Sequence, residues 1–170
     1  EKNWSDYKDI ITGITGGYCG TTGHETDVIW VLTGEPSDYT LTISGSGAMY
    51  DYNDPAEQPW KEYCSSITNV VIENGVTTIG DYAFEGCNNA NLTSVTIPAS
   101  VTSIGDFAFG YCTYLASVTI PVASLTYYGV SAFDNTAAVL KIYVPGSALS
   151  TYEAATNWSA YKDNFVGVYT

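Results

Sequence analysis

Residues 92–112 read LTSVTIPASVTSIGDFAFGYC. The first half alternates: Val95 and Ile97 flank Thr96, the period of a strand with one buried face. The second half sets Gly105 four residues before Phe109, with Ala108 directly ahead of the ring. Both halves recur on either side, as ITNVVIENGVTTIGDYAFEGC (67–87) and LASVTIPVASLTYYGVSAFDNT (115–136). Val70, Val95, Val118 and Ile142 head successive copies, at spacings of 25, 23 and 24. Extra residues near Asn88–Asn91 and before Leu125 explain the longer spacings, so the base period is 23.

A period of 20–29 residues with one short strand per unit predicts a leucine-rich-repeat type solenoid. No single unit buries its own apolar residues, but stacked units bury one another's. Val95 and Ile97 then point inward, Ser94 and Thr96 outward. Phe84, Phe109 and Phe133 form a ladder, and Ala83, Ala108 and Ala132 leave room for the rings. Gly80, Gly105 and Gly129 suit positive φ or a close backbone approach. The fold class expected is α/β: a short solenoid, mostly β with short helical turns.

The shared phrase V-T-x-I-G-x-x-A-F-x-x-C resembles the BspA-like (Treponema pallidum-type) leucine-rich repeats, closely over residues 67–136. TLTISGSGAMYDY (40–52) with Pro59-Trp60 resembles the N-terminal capping region of many members, and IYVPGSALSTYEAATNWSAYK (142–162) their C-terminal cap. The third unit departs, with Tyr128 where Ile79 and Ile104 stand and Thr136 in place of Cys. The resemblance implies an exported protein of a host-associated bacterium or protist, displayed on the cell surface or secreted, and linked to adhesion.

A stack has two open ends that need cover. Strands at 28–32 and 39–43, joined through Gly34–Asp38, predict an N-terminal β-hairpin cap. A short helix after Pro59 leads into the first repeat. Beyond Val144-Pro145-Gly146, Leu149, Tyr152 and Ala155 recur at helical spacing. Ser147 is the expected N-cap, and Ser150 with Glu153 a capping box one turn on. Trp158 and Tyr161 plug this C-terminal helical cap. NWSAYKDNFVGV (157–168) also matches NWSDYKDIITGI (3–14) at seven of twelve positions, 154 residues apart. Residues 1–17 therefore read as the tail of a preceding module or a linker, 18–66 as the N-terminal capping region, 67–139 as the repeats, and 140–170 as the last strand and cap. Tandem modules of about 154 residues are expected.

The chain has 170 residues, 45% hydrophobic and only 14% charged, which suits one folded domain rather than disorder. No apolar run approaches the roughly 18 residues of a membrane helix. With 18 acidic residues, five Lys, no Arg and a net charge of −13, the chain lacks the phosphate contacts that nucleic acid or anionic lipid requires.

No catalytic constellation emerges. Cys19 and His24 are near in sequence but lack further ligands for zinc. Asp51, Asn53, Asp54 and Glu57 offer oxygens for Ca²⁺, but the EF-hand spacing is absent and turn chemistry suffices. No metal or cofactor is expected. Cys87 and Cys112 share a repeat position and are expected to be buried free thiols, because stacked side chains run parallel. Whether Cys19 and Cys64 pair stays open. The outward strand positions, Asn69, Val71, Glu73, Ser94, Thr96, Ser117, Thr119, Lys141 and Tyr143, form the candidate ligand face, although Thr is also an ordinary strand residue. The expected function is a non-enzymatic adhesion or protein-interaction module whose partners are host or bacterial surface proteins. The alternatives are a structural spacer or a glycan-binding accessory module.

Overall fold

The computed structural model describes residues 15–169. The first copy of the repeated closing phrase, residues 3–14, lies outside the described residues. The chain opens with β1 (Thr15–Tyr18), β2 (Val28–Glu35) and β3 (Asp38–Gly45). These pair antiparallel, so the hairpin expected from VIWVL and YTLTI is present, closed by Pro36-Ser37. After β4 (Gly47–Ala48) come two 3₁₀ turns, Pro55–Glu57 and Lys61–Tyr63, then β5 (Ile67–Ile72) and β6 (Val76–Ile79). The later units supply β7 (Ser94–Thr96), β8 (Ser103–Ile104), β9 (Ser117–Thr119), β10 (Tyr127–Tyr128) and β11 (Lys141–Pro145). A one-turn 3₁₀ element (Gly146–Ala148), α1 (Leu149–Glu153), a 3₁₀ helix (Thr156–Asn164) and β12 (Phe165–Val168) follow.

Three four-stranded sheets result, in the orders β1-β2-β3-β5, β4-β6-β8-β10 and β7-β9-β11-β12. Each repeat thus contributes two strands, where the V-x-I pattern predicted one. The second strand was invisible because it is two to four residues long and reads buried–half–half–buried at Val76–Ile79, not as an alternation. In the third sheet, Val95, Val118 and Ile142 are direct neighbours, as the copies' equivalence requires. This is a leucine-rich-repeat fold, mostly strand with few short helices.

The aromatic ladder forms as expected. Phe84 stacks on Phe109 at 5.1 Å between ring centroids, and Phe109 on Phe133 at 5.7 Å, both within 11° of parallel. Trp60 continues the row beyond Phe84 at 5.7 Å, and Trp158 meets Phe133 at 5.1 Å from the other end. All five rings are buried.

The turns holding these rings are bonded from coil to coil. The N–H groups of Tyr82, Phe84 and Gly86 donate to the carbonyls of Asp106, Ala108 and Gly110 at 2.8–2.9 Å. Phe107, Phe109 and Tyr111 donate likewise to Val130, Ala132 and Asp134. This geometry puts Tyr82, Phe107 and Ser131 at φ of 52–56°, and Tyr111 and Asn135 at 55–57°. A left-handed conformation is uncommon for such residues. Its recurrence at the same two positions in successive units marks it as built in. Gly80 and Gly129 serve the close-approach role: a Cβ on either would strike the carbonyl of Tyr50 or Gly105 in the preceding coil.

At the first repeat the donors come from the segment before it. Tyr52 N–H reaches the Asp81 carbonyl at 3.2 Å and Trp60 Nε1 the Ala83 carbonyl at 3.0 Å. Glu85 O accepts from Gln58 Nε2 at 3.1 Å and Lys61 Nζ at 3.3 Å. At the far end, Trp158 Nε1 donates to Gly129 O at 2.9 Å and Asn157 Nδ2 to Tyr128 O at 2.8 Å. Tyr161 Oη accepts from Phe133 N–H and donates to Asp134. Apart from the Tyr52 N–H, side chains thus replace the backbone partners that a further coil would bring, as buried polar groups demand.

A carboxylate ladder runs beside the rings. Asp51 accepts from Asp81 N–H at 3.1 Å, Asp81 from Asp106 N–H at 2.7 Å, and Asp106 from Val130 N–H at 2.8 Å. Burial raises the Asp81 carboxyl above its usual value, aided by the nearby charges of Asp51 and Asp106 and opposed by the Asp106 N–H bond. The folded chain therefore keeps this proton to a higher pH than the unfolded chain. The contribution is fully present below the unfolded carboxylate value and is lost as pH rises through the folded one. Asp81→Asn should compare better with the parent at pH 7 than at pH about 4. Thermal melts at the two pH values check this, and an equal difference at both would refute it.

Three sequence expectations change here. Cys87 is not free: it is joined to Cys64, with Cα atoms 4.5 Å apart, while Cys19 and Cys112 are buried thiols. Cys64 stands 23 residues before Cys87, one base period, so the two share a position in adjacent coils. The Cys112 thiol donates to the Phe84 carbonyl at 3.1 Å, and burial pushes it up to about 12. Replacing both Cys64 and Cys87 with Ala should cost about 3 kcal/mol, the loop-entropy value for a closed loop of this length, read from denaturant midpoints. Secondly, α1 has Ala148 as its N-cap with no side-chain bond, so neither Ser147 nor the Ser150–Glu153 box is used. The preceding 3₁₀ turn feeds directly into the helix and supplies its first-turn geometry. Thirdly, the C-terminal region is not wholly helical, because β12 returns to pair in parallel with β11.

Candidate functional site

The nine outward residues fall on two sheets rather than one face. Asn69 and Val71 lie on β5 and Glu73 just after it, whereas Ser94, Thr96, Ser117, Thr119, Lys141 and Tyr143 lie on β7, β9 and β11. β5 and β7 are adjacent in space, but no ladder joins them among the described residues. The two extra residues between Val70 and Val95 fall in this step. They form a turn at Asn88–Asn91 in which Asn89 Oδ1 accepts from Asn91 N–H and its Nδ2 donates to Ser65 O. The ladder is interrupted at the step that carries the two extra residues, whereas the single extra residue before Leu125 leaves β9 paired with β11.

A cleft of about 590 Å³ lies over this seam. Asn69, Val71, Glu73, Ser94 and Thr96 line it, with Pro98 and Pro121 at one side. Val71 is 37% exposed, an apolar patch among polar neighbours. The structure thus gathers five of the nine predicted residues. The other four sit on the adjoining strands. Ser117 and Lys141 continue the row from Ser94, and Thr119 and Tyr143 the row from Thr96. Lys141 Nζ donates to the Asp163 carbonyl at 3.4 Å, so its charge is held toward the C-terminal 3₁₀ helix. The two prolines escaped the sequence reading. Their signal was there: Pro98, Pro121 and Pro145 each close a V-x-I or I-x-V strand, 23 and 24 residues apart.

The acidic stretch at 51–57 is engaged in turn chemistry. Asp54 accepts from Ala56 N–H at 2.7 Å, capping the Pro55–Glu57 turn, and Glu57 accepts from Asn53 N–H at 2.9 Å. His24 bonds Asp27 at 2.8 Å on the surface, and Cys19 is buried. Among the described residues, no three His, Cys, Asp or Glu side chains are grouped to hold a metal ion, and no helix is long and apolar enough to cross a membrane.

Parallel rows of short strands with one stacked phenylalanine per repeat, flanked by the carboxylates of Asp51, Asp81 and Asp106, fit a leucine-rich-repeat protein. The chain belongs to the BspA-type leucine-rich-repeat family, whose repeat region matches residues 62–159 in six copies. It is similar to the crystal structure of a leucine-rich repeat protein from Eubacterium ventriosum, at 30% sequence identity and a TM-score of 0.58, over 78% of this chain. The chain spans 39% of the length of that protein. No curated protein sequence matches it. Leucine-rich-repeat domains serve in protein–protein interaction, and the family is generally a non-catalytic scaffold.

Proposed function

We propose that this chain is a non-catalytic adhesion module of a bacterial surface or secreted protein, a short solenoid closed at both ends. It binds a host or bacterial surface protein through the outward residues of β5, β7, β9 and β11, across the seam where the two sheets meet. In this reading residues 67–139 are the repeats, 18–66 and 140–170 close their ends, and 1–14 belong to a preceding module, because Thr15–Gly17 pair with β2 in the first sheet. The observation that carries the proposal is the cleft over the β5–β7 seam, where Val71 offers apolar contact between the polar side chains of Asn69, Glu73, Ser94 and Thr96. Family members are typically surface-associated bacterial proteins, which supports the location.

The test is binding of the chain to host matrix proteins and epithelial cells, beside an unrelated domain of similar acidity. Val71→Lys with Thr96→Ala should lower binding at least about tenfold, the loss of 1.4 kcal/mol or more expected for a central contact. Both positions are exposed, so stability should move by no more than about 0.5 kcal/mol each. Binding no better than the acidic control, or undiminished in the double variant, would sink the proposal. Selective capture by a glycan array in place of proteins would favour the glycan-binding alternative.

A further inference from the structure

We propose that successive copies of this module are joined without a linker, through one strand shared between two sheets. The inference rests on the tandem-module reading, and goes beyond it to the geometry of the junction. The 154-residue offset between residues 3–14 and 157–168 fixes the register of one copy on the next. In the C-terminal copy of the phrase, β12 occupies Phe165–Val168. β1 includes Thr15, the first described residue, and Thr15 plus 154 is position 169, the residue directly after Val168. Where another copy follows, the last strand of one and the first strand of the next therefore abut with no residue between them.

Both strands are sheet edges. Among the described residues, β12 pairs only with β11, in parallel, and β1 only with β2, antiparallel. A single eight-residue segment thus gives its first four residues to β11 of one copy and its next four to β2 of the following copy. Such a segment spans about 26 Å at 3.3 Å per residue. A flexible connection needs residues outside any pairing, and here none exist. Val168, 46% exposed, stands at the junction, directly before the position that Thr15 takes in a following copy. Tandem modules then form a stiff rod with a fixed separation and rotation, rather than beads on a flexible string.

The experiment uses a two-module chain, residues 1–168 followed directly by residues 15–170, and a second version with eight Gly/Ser residues between the copies. Ser124→Cys in each copy, on an exposed loop, takes a spin label, whereas the native thiols are buried. Dipolar distance measurements should give one narrow distribution for the direct fusion and a distribution several-fold broader for the Gly/Ser version. Amide exchange should show Phe165–Val168 of the first copy and Thr15–Tyr18 of the second protected together in the direct fusion. Equal breadth in both versions would overturn the proposal. So would a direct fusion that fails to fold both copies while the Gly/Ser version folds. The adhesion reading can fail, with no partner bound, and leave this result untouched.

Discussion

Phe109→Ala is expected to lower the unfolding free energy by about 3–5 kcal/mol, the range for emptying a buried Phe site. Phe109 is 1% exposed and lies between Phe84 and Phe133, stacked on both. Its removal opens a void that the neighbouring coils cannot close. Their backbones are pinned by the Phe84–Ala108 and Phe109–Ala132 hydrogen bonds. Phe107 provides the control two residues away. It also stacks, on Tyr82 at 5.3 Å, but on the half-buried outer side. Phe107→Ala should therefore cost about 1 kcal/mol, on the scale of an aromatic pair near the surface. Urea unfolding of the two variants distinguishes the rows. Similar losses would mean that the inner ladder is not the axis of the core.

Trp158→Ala is expected to match that loss, at about 3–5 kcal/mol, but by a different route. The indole touches Tyr128 and Phe133 edge-on at 5.1 Å and stacks on Phe165 of β12. Its Nε1 donates to the Gly129 carbonyl. Truncation removes all of these together and strips a buried carbonyl of its donor, itself worth about 1–3 kcal/mol. Because Trp158 ties α1 and β12 to the last coil, the amides of Phe165–Val168 should exchange at rates set by local opening rather than global unfolding. Trp158→Phe should recover most of the packing and none of the hydrogen bond. If β12 stays as protected in Trp158→Ala as in the parent, Trp158 is not what holds this end.

The repeat was legible because its signals are local and redundant. Val95 with Ile97 sets a strand period, and Gly105 with Phe109 sets a turn. Three copies carrying both let each confirm the other. The inner ladder followed from equivalence alone. Three features were hidden for physical reasons. The second sheet is built from strands as short as Ser103–Ile104, which leave no period to read. β12 carries Gly167 in the middle of FVGV, a residue that weakens a strand prediction, and pairing with β11 overrides it. The Cys64–Cys87 bridge was written in the spacing, one base period, but Cys64 precedes the first V-x-I strand and so read as part of the N-terminal region. At the candidate site, the outward residues could be named one by one. The break between β5 and β7 could not, because two extra residues in a turn do not announce whether the strands on either side stay paired.

The two tryptophans give the molecule something like the end blocks of a ruler. Trp60 and Trp158 meet the first and last phenylalanines of the row, and everything between them is set by repeat register. Duplicating one 23-residue unit in the interior, such as Thr93–Leu115, would lengthen the row by one rung, about 4.8 Å, without disturbing either block. Reach is therefore a matter of counting units. The seam beside residues 88–91 is a graduation on this scale that is not interchangeable with its neighbours.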